Sequence, residues 1–215
     1  GNISTENIEN SGEIVTNKEL TGKNIDNKNT GKISTGEGIN SSGNVKNSGT
    51  INTNGDFVIN GNLENYNIIN AGGLLNTKDL HNTGALKISN KIVSRGSVFS
   101  NSGEILTTNL DVDTVNISNT NKITVVETAK LKAGNINNQG TVAANNIEIV
   151  TPILVNGGQI LASQNISADN TNLTNTGKLA SNNSISLNNS AVTNRSTMES
   201  TTINLQNLFS YDNNA

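Results

Sequence analysis

A five-residue phrase (Asn, any residue, Gly, any residue, then an apolar residue) returns along this chain every 17 to 19 residues. It reads Asn10-Ser11-Gly12-Glu13-Ile14, Asn29-Thr30-Gly31-Lys32-Ile33 and Asn47-Ser48-Gly49-Thr50-Ile51. It recurs from Asn82, Asn101, Asn138, Asn156 and Asn175, and degenerate copies from Asn65, Asn119 and Asn194 keep the phase. The eleven copies have a mean spacing of about 18.4 residues. A period that narrow over the whole length means one supersecondary unit stacked on itself, which limits the chain to repeat architectures.

Each place in the phrase carries a physical expectation. The fifth place is apolar in every copy, and two places on stand small or β-branched residues such as Thr16, Thr53, Ala71, Ile88 and Val125. The place between them is chemically mixed (Val15, Asn52, Lys87, Glu199). Alternation with period two is the pattern of a strand with one buried face. Two further apolar stations recur in each coil. One lies two places before the Asn (Ile8, Val45, Leu63, Leu80, Phe99) and is broken only in the second coil, where Ile25 replaces the expected Asn27. The other lies nine or ten places after it (Leu20, Ile39, Phe57, Leu75), with Leu131 filling it in the coil from Asn119.

The third place holds Gly eight times and otherwise Asn67, Asn121 and Ser196. Gly and Asn tolerate a left-handed backbone, so this place is expected to be a turn with positive φ. The leading Asn never varies. Stacked above its counterparts it predicts an amide ladder through Asn10, Asn29, Asn47, Asn65, Asn82, Asn101, Asn119, Asn138, Asn156, Asn175 and Asn194.

Three short strands per coil predict an all-β, right-handed parallel β-helix of about eleven coils of 18 or 19 residues. At about 4.8 Å per coil the rod is roughly 50 Å long. Helical repeats are disfavoured because so short a unit cannot hold two helices and Asn, Gly and Thr form helices poorly. Residues 1–207 read as a single β-helix domain, and 208–215 as a terminal tail or the start of a next segment. The chain opens on Gly1 with the repeat under way by Ile8, which reads as a piece of something longer, monomeric as a fragment.

Composition agrees with a thin apolar thread wrapped in polar turns: 32% hydrophobic, 2% aromatic and 14% charged residues, with a net charge of −3. Mild acidity without a basic stripe argues against nucleic acid. Absence of cysteine excludes disulfides and thiolate metal sites. No apolar run is long enough to span a bilayer as a helix.

The Asn-x-Gly-x-aliphatic phrase at this period resembles the repeats of the filamentous haemagglutinin family, over about 8–208. That family comprises large exoproteins of two-partner secretion, including adhesins and contact-dependent growth inhibition toxins. The resemblance implies a shaft that carries adhesive or toxic parts away from a Gram-negative surface. It implies an outer-membrane transporter as partner during secretion, and a receptor or glycan on a host or neighbouring cell. Pro152, the single proline, follows Thr151, so the Asn-Pro motifs of the family's secretion domain are missing from this chain.

Two other readings deserve weighing: a rod that itself binds a receptor or glycan, and a polysaccharide-degrading β-helix enzyme. Enzymes of that kind cluster carboxylates with Arg, Lys or His on one outer face. Asp111 and Asp113 alternate on one strand and are expected to face outward together, with Lys122 the nearest partner by sequence. Two carboxylates are too few for a hard cation, so a solvated strand face is the plainer expectation. His81, the one histidine, stands near Asp79 without a nucleophile or second ligand at a useful spacing. Arg95 and Tyr66 are candidate surface contacts, while Phe99 occupies an inward station. No catalytic residue, cofactor or metal site is assigned, and the matches to Asn-x-Ser/Thr follow from composition alone.

Overall fold

Alternating apolar and polar residues produce short strands, and the fixed period lays each strand on its counterpart one coil earlier. A computed structural model describes residues 1–214, which contain 29 strands, no helix, and only parallel pairings. They stack as a parallel β-helix of about 12 turns.

Each coil has three faces. The ladder face carries the strands that end in the recurring asparagine, from Asn7–Asn10 and Asn24–Asn27 to Ala191–Asn194 and Ser210–Asn213. The second face follows the Asn-x-Gly corner, beginning with Glu13–Thr16 and Lys32–Thr35. The third face begins with Leu20–Gly22 and Ile39–Ser41. Where corners are smooth the strands fuse, as in Glu104–Asn119, which runs over all three faces.

The three apolar stations meet in one continuous core, where Leu20, Ile33, Ile51, Phe57, Leu63 and Phe99 are fully enclosed. In-register stacking places Phe57 between Ile39 and Leu75, and Phe99 between Leu80 and Ile117. Apolar contact therefore runs along the rod axis as well as across it, and each coil is held mainly by its two neighbours.

Several expectations are corrected. In the second coil Ile25 lies in register with Ile8 and Val45, which puts Asn27, not Asn29, in line with Asn10 and Asn47. Asn29 is exposed at the tip of a turn closed by a hydrogen bond from the Gly31 N–H to the Lys28 carbonyl, 2.9 Å. Burial of the aliphatic station overrides the local phrase, and the turn absorbs two extra residues. In the coil from Asn119, Ala129 pairs with Leu110 and Ile147 at the station assigned to Leu131. Leu131 fills the next inward place, between Val112 and Ile149.

The glycine of the phrase is needed for a different reason from the expected one. No glycine has a left-handed φ. Instead, a Cβ on Gly84, Gly103, Gly140, Gly158 or Gly177 would lie 2.0 Å from a backbone oxygen of the coil beneath. At Gly12, in the first coil, a Cβ would meet nothing within 4 Å. Crowding shows where Asn occupies the place. The N–H groups that follow Asn67 and Asn121 reach the glycine carbonyls below at 3.2 and 3.3 Å, against 2.7 to 3.0 Å where glycine lies on glycine. Left-handed residues occur at another corner, between the third and ladder faces, at Asn170 (φ 53°), Asn189 (48°) and Asn207 (51°).

The rhythm does not stop at 207. Val192 and Asn194 pair with Tyr211 and Asn213, so 210–213 forms a further ladder-face strand; Ala215 lies outside the described residues.

Candidate functional site

The most regular chemical feature is internal. Asn10 donates its side-chain amide to the Asn27 carbonyl oxygen at 2.9 Å, and Asn27 donates to Asn47 at 2.8 Å. The chain of bonds continues through Asn65, Asn82, Asn101, Asn119, Asn138, Asn156, Asn175 and Asn194 to Asn213 at 2.7 to 2.9 Å. From Asn10 to Asn175 each Nδ2 also reaches the carbonyl that opens the next second-face strand, for example Asn10 to Lys32 and Asn175 to Thr197, both 3.0 Å. From Asn10 to Asn194 these amides are at most 6% exposed. A buried amide is tolerated only when its donors and acceptor are paired, and here every coil supplies the partners of the next. The ladder binds the rod together, and it is closed to any ligand.

A second series, on the outside, went unnoticed in the sequence. Asn24, Asn44, Asn62 and Asp79 stand one place before the ladder-face aliphatic in successive coils. The Asn44 and Asn62 N–H groups donate to Oδ1 of Asn24 and Asn44, each at 2.9 Å. Asp79 Oδ1 accepts from the Ser97 and Val98 N–H groups at 2.6 and 3.0 Å. Its signal was present: an Asn or Asp directly before Ile8, Ile25, Val45, Leu63 and Leu80.

Asp111 and Asp113 do face outward together, but Lys122 is not their partner, because it lies on the second face beside Glu104. Asp111 takes Lys91 Nζ at 2.8 Å and Arg95 NH2 at 2.6 Å, and Asp113 takes Lys132 Nζ at 2.9 Å. Arg95 also donates to the Asp111 carbonyl at 2.8 Å. Partial burial works to raise the pKa of Asp111, yet the hydrogen bonds from Lys91 and Arg95 outweigh it and hold the carboxyl below its ordinary value. Lys130 and Glu148 extend the alternation at 3.1 Å. The cluster is a set of ion pairs that ties coil to coil.

Tyr66 is half exposed and donates to Glu64 at 2.9 Å, which raises its pKa. Lys46 Nζ lies 5.6 Å from the centre of the Tyr66 ring. His81 is exposed on the ladder face, in register with Glu64. Phe99 is fully enclosed, so it is core. Among the described residues no group of three or more His, Cys, Asp or Glu could hold a metal ion. A shallow notch of about 480 Å³ is lined by Asp113, Lys132, Gly134, Val150, Pro152 and Asp169, and the Asp113–Lys132 ion pair lies in its wall.

These features define a parallel β-helix repeat protein with a continuous buried amide ladder. Comparison of the chain with protein-family models, curated proteins and solved structures gave no match.

Proposed function

We propose that the chain is a non-enzymatic shaft segment of a large secreted or cell-surface filamentous exoprotein of a Gram-negative bacterium. Its work is geometric. About 12 turns at roughly 4.8 Å each convert 215 residues into a stiff rod of about 55–60 Å. The single observation behind this reading is the unbroken ladder from Asn10 to Asn213, in which every coil is bonded to the next at one fixed corner. Near-constant coil length leaves no long loops to wall a substrate cleft, which supports a shaft over an enzyme. The resemblance of the Asn-x-Gly-x-aliphatic phrase to filamentous haemagglutinin repeats supports secretion through an outer-membrane transporter and display of adhesive or toxic parts.

Two measurements test it. Glycan arrays and turnover assays on pectin-type polymers should give neither binding nor cleavage by the isolated rod. Turnover would remove the shaft reading, and saturable glycan binding would replace it with an adhesive rod. In the parent protein, excision of whole coils between equivalent ladder positions should shorten the reach of the distal part while leaving its display intact.

A further inference from the structure

We propose that the outer surface of the second face is a self-association surface on which a second copy of this chain packs antiparallel. This inference does not depend on the shaft reading, and it departs from the monomer expected of the sequence.

All-parallel sheets of layered α/β folds have both sides covered, whereas each face of a β-helix covers only its inner side. Here the inner side faces the core and the outer side is bare. On the bare side two outward rows run up the rod in strict register. The middle row reads Leu106, Thr124, Ala143, Leu161 and Ala180 in consecutive coils, with Lys87 before it and Glu199 after it. The first row reads Glu104, Lys122, Thr141, Gln159 and Lys178. Leu106 is 40% exposed, and the alanines leave a shallow dent around Leu161.

The order of these residues is self-complementary. A two-fold axis along the strand direction at Ala143 exchanges coils above it with coils below. Leu106 then meets the partner's Ala180, Leu161 meets the partner's Thr124, and Ala143 meets the partner's Ala143. Large thus faces small at each level, as interdigitating layers require. The same operation brings Lys87 to the partner's Glu199 and Glu104 to the partner's Lys178. Lys87 and Glu104 make no ion pair within the described residues, while Lys178 and Glu199 pair with each other at 3.1 Å, so the contact would extend that pair to a four-membered charge network at each end. A parallel arrangement sets the middle row against itself, with Lys87 on lysine, Glu199 on glutamate and leucine on leucine. Like charges directly opposed disfavour it.

Six coil steps by one four-residue strand give a contact of about 400 Å² per copy. That is small for a specific interface, so a weak, concentration-dependent dimer is expected. Sedimentation equilibrium of the 215-residue chain should show a monomer–dimer equilibrium. Ala143→Glu, which sets two carboxylates on the axis, should weaken the dimer at least tenfold, and Lys87→Glu should weaken it less. Lys46→Glu, on the ladder face, should change nothing. Because the chain has no cysteine, orientation is readable by cross-linking. A bismaleimide spanning about 10 Å, the usual distance between packed sheets, should join Ala85→Cys to Thr197→Cys in a mixture and neither variant to itself. A monomer at millimolar concentration, a dimer indifferent to Ala143→Glu, or self-linking of Ala85→Cys alone would each overturn the proposal.

Discussion

The first five coils and the last six share a ladder but differ in cross-section. In the first, the third-face strands are short, as in Leu20–Gly22, Ile39–Ser41 and Phe57–Ile59. Their second inward place holds Gly22, Ser41, Ile59, Thr77 and Ser94. The hydroxyls there turn back to the corner below: Ser41 donates to the Lys23 carbonyl at 2.9 Å and Ser94 to the Lys78 carbonyl at 2.7 Å. In the later coils the same place holds Val112, Leu131, Ile149, Ala168, Leu187 and Leu205. Hydroxyl bonding moves to Thr114, Thr151, Thr171 and Ser190, at the end of a longer strand. One period therefore supports two ways of turning the corner. The first relies on Asn and Asp side chains that cap backbone N–H groups, and the second on a wider apolar core, closed in its last three coils by left-handed asparagines.

The largest expected effect should be blind to this difference. Asn47→Ala and Asn156→Ala each strand buried partners on both sides, so each should cost about 3 kcal/mol in denaturant unfolding. Unequal costs would mean that the ladder is not the shared support. Asn29→Ala, which lies off the ladder, should cost less than about 0.5 kcal/mol, while Asn27→Ala matches the ladder value.

The next effect should separate the two halves. Leu131→Ala removes a packed side chain from the wider core and should cost about 2–3 kcal/mol. Ser41→Ala, at the equivalent place in the early coils, loses one hydrogen bond and should cost about 1 kcal/mol. Similar values for the two would erase the contrast in how the faces are filled.

Corner chemistry gives a smaller contrast. Asp79→Ala releases two backbone N–H groups and should lower stability by about 1 kcal/mol, with amide exchange accelerated at Ser97 and Val98. Asn170→Gly should be neutral within about 0.5 kcal/mol, whereas Asn170→Ala should cost about 1 kcal/mol for the left-handed backbone. A loss on Asn170→Gly as large as that on Asn170→Ala would mean that the asparagine acts through its side chain instead.

The smallest effect is pH dependence at the join between the halves. The Asp111 carboxyl has a lowered pKa, so its stabilising contribution is full above the ordinary carboxylate value and is lost as pH falls through the lowered one. Thermal melts should therefore show a midpoint that drops below about pH 4. Asp111→Asn should remove the part of that drop due to this site and lower the midpoint slightly at pH 7.

Much of the fold was legible because a stacked coil repeats its environment, so each inward place declares itself many times. Ile8, Leu63 and Phe99 mark one column however different their neighbours are, and the invariant Asn marks the amide ladder. Asn27 was misread because Asn27 and Asn29 both precede Gly31 at plausible distances, and only the burial of Ile25 separates them. Arg95 and Asp111 were each visible, but their pairing was not, since residues 16 apart meet only when coils are superposed.

Sequence alone determined the period, the strand alternation and the existence of an asparagine column, because these depend on chemistry repeated at each coil. Tertiary structure alone decided why glycine follows that column. A Cβ at Gly103 would lie 2.0 Å from the Gly84 carbonyl oxygen, so the constraint comes from the coil beneath and not from the backbone's own φ. It likewise decided which asparagines bend the chain leftward, Asn170, Asn189 and Asn207, since that choice depends on how far the third face extends before it must turn.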